Sequence, residues 1–176
     1  MDASGALVPE PAHLLGPIDA PVTLVEFGDF GCPYCAAAKL PIEALVKRLE
    51  RVRMVWRHFP DPELHAGADL AAEASEAAAA EDAFWPLHDA LLRHAGAFDA
   101  AVLTRQAAEL GLDVERFGAA LSDRRFRPVV EADLRDGREH GVTGTPTFFI
   151  NGERVNAHWT ELRTLLPEAL AAAEGD

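Results

Sequence analysis

The first regular elements of the chain are two short apolar runs with a helical pattern between them. Val22 to Phe27 is a β-rich run between a proline and a glycine, which predicts a short buried strand. A helix is expected from Pro33, a residue suited to a first helical turn, to about Arg51, with a kink at Pro41. Val52 to Phe59 is typical of a second strand. This order predicts a parallel pair of strands joined by a right-handed crossover.

The middle of the chain, residues 61–140, has no strand pattern. Asp61-Pro62-Glu63 predicts a helix start, because an acidic N-cap followed by proline and a second acid suits the positive end of a helix. Apolar residues then recur with helical spacing in segments at about 64–80, 83–95, 100–110, 114–122 and 126–140. A series of short helices inside an α/β chain predicts an inserted helical subdomain.

The last part of the chain returns to strand patterns. Thr147 to Ile150 and Glu153 to Val155 flank Asn151-Gly152, which predicts a tight hairpin because both turn residues tolerate a positive φ. A closing helix is expected from about Trp159 to Ala173, with a break or kink at Pro167.

Length and composition indicate a globular protein with one core. The 176 residues, 49% of them hydrophobic and 26% charged, are ordinary for such a protein and sufficient for one well-buried core. The formal net charge of −13 argues against nucleic acid or an anionic membrane surface as a partner. No stretch approaches the ~20 apolar residues that span a bilayer.

The first 20 residues predict an irregular N-terminal arm, because three of them are prolines. They contain neither the basic region nor the apolar region of a secretory signal. We therefore expect a cytoplasmic protein, or a periplasmic or extracellular one if a leader has been removed. We also expect a monomer.

Cys32 and Cys35 are the only cysteines, and they lie at the predicted junction between strand and helix. The first thiol would lie at a helix N-terminus, where unpaired backbone N–H groups and the helix dipole favour the thiolate. The thiolate is the nucleophile in disulfide exchange. A structural disulfide usually closes a longer loop, so this pair indicates redox chemistry.

The same cysteine spacing also occurs as half of a zinc site. Tetrahedral zinc requires four ligands, and the chain has no second cysteine pair. His58 and His65 could complete a mixed site, but neither has a partner at ligand spacing. We favour redox chemistry and expect neither a metal nor an organic cofactor.

Two segments carry specific motifs. Val22 to Cys35 combines the apolar strand with the cysteine pair, and Gly141 to Gly152 places Gly-Thr-Pro before the hairpin. Together they resemble the opening strand and the cis-proline loop of DsbA-like thiol-disulfide oxidoreductases in the thioredoxin-fold superfamily. The resemblance extends from about Gly16 to the C-terminus. It implies an α/β, thioredoxin-like fold with an inserted all-helical subdomain: an arm at 1–20, a core at 21–60 and 141–176, and the insertion at 61–140.

The resemblance also implies roles for individual residues. Cys32 would be the exposed attacking thiol and Cys35 the more buried resolving thiol. Pro146 would be a cis-proline packed against the pair, with Thr145 before it, and the substrate would lie beside both residues. Pro33-Tyr34 would contact substrate and set the electrostatics of the pair. This dipeptide differs from the Pro-His of the best-known strong oxidants and matches that of glutaredoxins.

Glu26 is an acid inside an apolar strand, six residues before Cys32. It is either a solvated carboxylate at a sheet edge or a buried acid beneath the pair. The family suggests that a buried acid here carries protons to and from Cys35. Burial would raise its pKa toward neutrality, which suits acid–base catalysis, and we favour this role.

Three functions are compatible with these features. We favour an enzyme that exchanges disulfides with protein or peptide substrates and is recycled by a redox partner. A glutathione-linked, glutaredoxin-like reductase is the alternative. The third interpretation is a non-catalytic module that senses redox state or binds metal and regulates a partner.

Overall fold

The computed structural model describes residues 7–8, 13–94 and 96–174 of the chain. This part contains a five-stranded sheet with the strand order β1-β3-β2-β4-β5. The strands are β1 (His13–Leu15), β2 (Val22–Gly28), β3 (Val52–His58), β4 (Thr147–Ile150) and β5 (Glu153–Arg154). The α-helices of the same part are α1 (Pro33–Leu49), α2 (Ala68–Ala79), α3 (Phe84–Arg93), α4 (Ala100–Glu109), α5 (Val114–Ser122), α6 (Arg127–Glu139) and α7 (Leu162–Ala173), and a 3-10 turn at Trp159–Glu161 precedes α7.

The central strand of the sheet is β2, and every one of its residues is buried. It pairs in parallel with β3, and α1 connects the two strands as the sequence predicted. On its other side it pairs antiparallel with β4. Glu26, in the middle of β2, therefore has Trp56 of β3 opposite it on one side and Phe148 of β4 on the other.

Side chains from the two faces of the sheet pack in two separate apolar clusters, because successive residues of a strand point to opposite faces. Leu24 belongs to the larger cluster, together with Ile42 of α1 and Leu166 of α7. Phe27 belongs to the smaller cluster, together with Val142. Glu26 alternates with Phe27 and so shares the face of Leu24, on the side of α1. The catalytic candidates thus lie on the α1 side of the sheet.

One prediction for the N-terminal arm was wrong. Residues His13–Leu15 are not irregular but form β1, which pairs antiparallel with the outer edge of β3. The pairing gives hydrogen-bond partners to backbone groups that an open edge strand would leave exposed. In addition, the indole of Trp85 donates a hydrogen bond to the Leu14 carbonyl at 2.8 Å. The other described residues of the arm include Leu7, which is fully buried. Residues 1–6 and 9–12 lie outside the described part of the chain.

The helix start predicted at Asp61-Pro62-Glu63 was also wrong. Asp61 does accept backbone hydrogen bonds, from Glu63 and Leu64, but it closes only a short turn. The following helix, α2, begins at Ala68, because Gly67 adopts a left-handed φ of 78° that ends the turn. A Cβ at Gly67 would lie 1.9 Å from the Phe98 carbonyl oxygen, so this close approach requires glycine.

The hairpin predicted at Asn151-Gly152 is confirmed. Both residues have positive φ, 48° and 86°, and they connect β4 to β5. Of the break or kink predicted at Pro167, the break is absent, since α7 continues through this residue. The closing helix also starts later than expected, with Trp159–Glu161 in a 3-10 turn before α7 begins at Leu162.

Candidate active site

The cysteine pair lies where β2 leads into α1. Cys32 is the N-cap of α1 and has extended backbone angles, and Pro33 occupies the first turn. The N–H of Cys32 donates to the Asp29 carbonyl at 3.0 Å, and the N–H of Ala36 donates to the Cys32 carbonyl at 3.1 Å. Proline fits this position because a first-turn N–H has no partner within the helix. The first cysteine thus lies at a helix N-terminus, as the sequence predicted.

The cis-proline loop comes from the C-terminal part of the chain and lies against the cysteine pair. The Thr145–Pro146 peptide bond is cis, as expected. In its thiol form, Cys32 donates a hydrogen bond from Sγ to the Thr145 carbonyl oxygen at 3.3 Å. This contact brings together two of the predicted site residues, and a third, Pro146, follows Thr145 in the chain.

The expectation that Cys32 is exposed was wrong. Only 4% of Cys32 is exposed, and Cys35 is fully buried. The close approach of Thr145 accounts for the shielding of Cys32. The two residues between the cysteines are exposed, and Tyr34 is 65% exposed. Pro33 and Tyr34 therefore form the accessible rim of the site, as their predicted contact with substrate requires.

The two thiols differ strongly in acidity. A hydrogen bond from the Cys35 side chain lowers the pKa of Cys32 to about 5, against the effect of burial. Hydrogen bonds from the Thr145 side chain and from the backbone of Cys35 and Tyr34 contribute to the same lowering of the pKa. Burial is the main cause that raises the pKa of Cys35 well above its ordinary value. At neutral pH the pair therefore holds one thiolate, on Cys32, and one thiol, on Cys35.

Glu26 is buried, with 1% of its surface exposed, which excludes a solvated position at the sheet edge. Burial raises its pKa to about 8, and the negative charges of Cys32 and Glu43 add to the increase. Its Oε1 atom has no hydrogen-bond partner among the described residues. The charge of Glu26 in turn contributes to the high pKa of Cys35, so the two groups interact.

Sequence reasoning missed a polar cluster between α1 and α3. The buried Lys39 ammonium lies 3.0 Å from a carboxylate oxygen of Glu43 and 3.0 Å from one of Asp89. His88 Nδ1 lies 3.1 Å from Asp89, and burial lowers the pKa of His88. A lysine four residues after Cys35, on the same side of α1, was the signal that could have indicated this cluster.

Two clusters bring metal-binding residue types together in the described part of the chain, and neither suits a metal ion. In the first, donor atoms of His13, His58 and Glu76 lie within 4.8 Å of one another. The indole N–H of Trp56 donates to His58 Nδ1 at 3.2 Å, so the imidazole proton is on Nε2, where it faces Glu76. This Nε2 lacks the free electron pair that a metal needs.

The second cluster consists of Glu43, His88 and Asp89. The ammonium of Lys39 already bridges its two carboxylates at 3.0 Å, and a positive charge at this position disfavours a cation. The first cluster is better described as a hydrogen-bonded network and the second as a set of ion pairs than as ligand sets.

A groove leads away from the cysteine pair. It is a cavity of about 330 Å³ beside the cis-proline loop. Its lining comprises Tyr34, Pro146–Phe148 and the segment from Arg154 to Trp159. The groove has both apolar and polar walls and opens next to Tyr34, so it could accommodate an extended segment of another polypeptide.

The sheet, the dithiol at the start of α1 and the cis-proline loop together define a disulfide oxidoreductase with a thioredoxin-like fold. The chain belongs to the thioredoxin family, whose sequence model matches residues 9–168.

Solved structures agree with this assignment. A thioredoxin-like oxidoreductase from Silicibacter pomeroyi has a TM-score of 0.79 and 30% identity, and the match covers 97% of both chains. The thiol-disulfide exchange protein alpha-DsbA2 from Wolbachia pipientis has a TM-score of 0.82 at 22% identity, over 95% of this chain and 90% of that one. The second likeness is one of fold. The predicted DsbA-like, thioredoxin-fold architecture is therefore confirmed.

Curated relatives place a similar segment in much longer proteins. A Na(+)/H(+) antiporter NhaA from Salinispora arenicola is 43% identical over 165 residues, which cover 94% of this chain but 24% of the antiporter. This chain therefore spans about a quarter of the length of the curated relatives that it matches. Within residues 7–8, 13–94 and 96–174, no helix is both long enough and apolar enough to cross a membrane.

Proposed function

We propose that this chain catalyses thiol–disulfide exchange with protein or peptide substrates through Cys32 and Cys35. The observation that carries the proposal is the difference in acidity between the two thiols at the start of α1. A pKa of about 5 makes Cys32 a thiolate at neutral pH, whereas Cys35 stays protonated until it is needed. A thiolate and a buried thiol two residues apart suit sequential attack and resolution.

Exchange would proceed in two balanced steps. The Cys32 thiolate attacks one sulfur of a substrate disulfide, which forms a mixed disulfide and releases the other substrate sulfur as a thiolate. Cys35 then loses its proton and attacks Cys32 Sγ, which forms the Cys32–Cys35 disulfide and releases the second substrate thiolate. The substrate gains two electrons and the enzyme loses two. The reverse sequence oxidises a substrate dithiol.

Glu26 is the proposed proton carrier for Cys35. With a pKa of about 8, a fraction of the Glu26 carboxyl is ionised near neutral pH, and this form can accept the proton that Cys35 loses and return it in the reverse reaction. The unpartnered Oε1 supports this role, because this atom is free to bind the proton directly or through a water molecule.

The substrate would bind across Tyr34 and the cis-proline loop. Pro33 and Tyr34 form the exposed rim, and the groove beside Pro146 could hold residues that flank the substrate cysteine. The backbone at Thr145–Pro146 would pair with the substrate by strand addition, a mode that depends on main-chain groups and accepts varied sequences.

Trapping the mixed disulfide tests the proposal. Cys35→Ala should accumulate a mixed disulfide between Cys32 and a disulfide-containing test protein such as insulin. Dithiothreitol should release this adduct. Cys32→Ser should form no such adduct. If Cys32→Ser still exchanges disulfides, or if the trapped adduct maps to another position, the proposed roles of the two cysteines are wrong.

Two assays separate the alternatives. A glutathione-linked reductase would turn over small mixed disulfides with glutathione faster than it reduces insulin, whereas the favoured function predicts the opposite. Metal analysis of the purified protein tests the metal-binding module, which would require about one ion per chain. Neither alternative is supported by a specific contact in the described residues.

A second candidate function follows from the curated relatives. Because a segment 43% identical to this chain occurs within a Na(+)/H(+) antiporter, we propose that this chain acts on, or together with, a membrane transporter of that class. If so, Cys35→Ala expressed in the source cells should form a disulfide-linked species with an antiporter, and dithiothreitol should remove it. Adducts with other proteins alone would contradict this partner and leave disulfide exchange unaffected.

The compartment and the direction of the reaction are linked. A cytoplasmic location favours reduction of substrates, and a periplasmic or extracellular one favours oxidation. The reduction potential of the Cys32–Cys35 pair determines which direction each compartment supports. A stabilised Cys32 thiolate favours the reduced form and hence an oxidising pair.

A further inference from the structure

The loop before Cys32 holds a buried carboxylate with a full set of donors. The Asp29 side chain is completely buried. Its Oδ1 accepts a hydrogen bond from the N–H of Gly31 at 2.7 Å, and its Oδ2 accepts one from the N–H of Asp61 at 2.9 Å. Oδ2 also lies 2.8 Å from His65 Nδ1. Asp29 therefore ties the turn at 61–65 to the loop that carries the cysteine.

This arrangement defines the protonation of His65. A carboxylate that already receives two backbone N–H bonds acts as an acceptor, so the third bond comes from a proton on His65 Nδ1. In the neutral ring, Nε2 is then the acceptor nitrogen. An aspartate that orients a histidine in this way resembles the orienting half of many acid–base dyads.

His65 also packs directly against the backbone next to Cys32. A Cβ at Gly31 would lie 2.4 Å from His65 Cβ and 2.9 Å from His65 Cγ. Only glycine permits this approach, which places the imidazole beside the residue that precedes the nucleophile. About 24% of the His65 side chain is exposed, so protons can reach it from solvent.

We propose that Asp29 positions His65 so that the positive charge of the protonated imidazole favours the thiolate form of Cys32. This inference rests on the proposed function and names a further residue for the same site. His65 would supply, from the turn at 61–65, the imidazole that the Pro33-Tyr34 dipeptide lacks. The positive charge of the imidazole would act across the loop that carries Cys32. It would add to the positive potential at the N-terminus of α1, which already favours an anion.

The other charged side chains of the two segments that meet at this imidazole, residues 29–32 and 61–65, are all acidic. Asp29 reaches it from the β2–α1 loop, with the carboxylate described above. Asp61, from the same turn as His65, directs its own carboxylate to the backbone N–H groups of Glu63 and Leu64. Glu63 is the other charged side chain of that turn and is exposed.

The key variant is His65→Asn, because the Asn amide can still donate a hydrogen bond to Asp29 but cannot take up a proton. His65→Ala removes both properties. The thiolate of Cys32 is titrated by its ultraviolet absorbance in the reduced protein, and the redox equilibrium with glutathione is measured at neutral pH. We expect His65→Asn to move the Cys32 titration upward by about half a pH unit, which is about threefold in the acid dissociation constant of the thiol. The oxidised form should become less oxidising by a similar factor.

His140→Asn is the matched control. His140 is also a partly exposed histidine near an aspartate, with Nδ1 3.4 Å from Asp136 Oδ1, but it ends α6. This variant should leave the Cys32 titration unchanged. If His65→Asn titrates like the wild type, His65 acts at most through its hydrogen bond and the proposal fails, whatever His65→Ala does. An equal shift in both histidine variants would also overturn it, as a general effect of net charge.

The inference about His65 and the proposed function can be wrong independently of each other. If wild-type protein does not exchange disulfides with insulin or glutathione, the proposed function is wrong, yet the titration of Cys32 still tests the Asp29–His65 pair. If exchange occurs and His65→Asn has the wild-type titration and redox equilibrium, only the present inference is wrong. Circular dichroism of each variant checks that it is folded.

Discussion

The Sγ atom of Cys32 and the carbonyl oxygen of Thr145 lie 3.3 Å apart, although 113 residues separate them in the chain. The same contact brings the Thr145 side chain close enough to lower the pKa of Cys32. The acidity of the nucleophile is therefore partly a property of the distant cis-proline loop. It cannot be assigned to the cysteine motif alone.

Thr145→Val should raise the pKa of Cys32. The variant keeps the shape of the side chain and removes the hydroxyl that donates to the thiolate. A hydrogen bond to a charged group is worth ~1.5–3 kcal/mol, so we expect an increase of about one unit. Ultraviolet titration of the reduced variant measures the change. An unchanged titration would mean that Cys35 and the helix N-terminus determine the acidity without Thr145.

Alkylation of the reduced protein should distinguish the two cysteines. With a Cys32 pKa of about 5 and a Cys35 pKa well above the ordinary range, iodoacetamide should label Cys32 alone between pH 5 and 7. The rate should reach half its plateau near pH 5, although the low exposure of Cys32 should make the plateau slower than for a free thiol. Peptide mapping identifies the adduct, and preferential labelling of Cys35 would refute the assignment.

Glu26→Gln should slow resolution and increase stability at alkaline pH. The glutamine keeps the size of the side chain but accepts no proton, so at neutral pH the mixed disulfide should persist longer. The folded pKa of about 8 exceeds the ordinary value of 4.5, so Glu26 destabilises the fold progressively as pH rises from about 4.5 to about 8. The variant removes this penalty, which is on the order of a few kcal/mol.

Urea unfolding of reduced wild type and Glu26→Gln at pH 4 and at pH 8 measures this effect. The two proteins should be equally stable at pH 4, and the variant should be more stable at pH 8. Stopped-flow measurement of resolution gives the kinetic effect. If resolution stays at the wild-type rate across neutral to mildly alkaline pH, Cys35 loses its proton by another route, and Glu26 is only a residue of the strand.

Asp133→Ala should destabilise the fold without changing the thiols. Asp133 lies 2.7 Å from the buried guanidinium of Arg57 and also accepts the backbone N–H of His58 at 2.8 Å. Arg57 keeps a second carboxylate partner, Asp136, at 2.7 Å, so its charge stays paired in the variant. The variant instead leaves the backbone N–H of His58 and one N–H of Arg57 without their acceptor, and a buried unsatisfied donor costs ~1–3 kcal/mol. Thermal unfolding measures the loss, and the Cys32 titration of the folded variant should match that of the wild type.

The parts of the site that the sequence predicted are those with local signals. The cysteine spacing, the Gly-Thr-Pro motif and the acid within an apolar strand each appear in a few consecutive residues, and the structure brings Cys32 and Thr145 together. Lys39 and Asp29 were not predicted, because their partners come from α3 and from the turn at 61–65. Such partners depend on how the helices pack against the rest of the fold. The hydrophobic periodicity of the sequence does not describe this packing.

Two errors in the fold have similar causes. Strand β1 has three residues, too few for an alternating pattern, and it exists because β3 has an edge to pair with. The helix expected at Asp61 had correct capping chemistry, but the chain uses this aspartate to close a turn that Asp29 holds in place. In both cases a contact with a distant strand or loop overrode the local preference.

The position of β2 in the sheet has a consequence for synthesis of the protein. Its partner β3 follows after one helix, but β4 follows only after α2 to α6. Until β4 emerges from the ribosome, one side of β2 is open, and Glu26 lacks Phe148 beside it. Water can then reach the carboxyl, and Cys32 lacks Thr145. An unfinished chain would therefore carry a solvated acid and a Cys32 without the contribution of Thr145, and the site would be complete only when the last strands are in place.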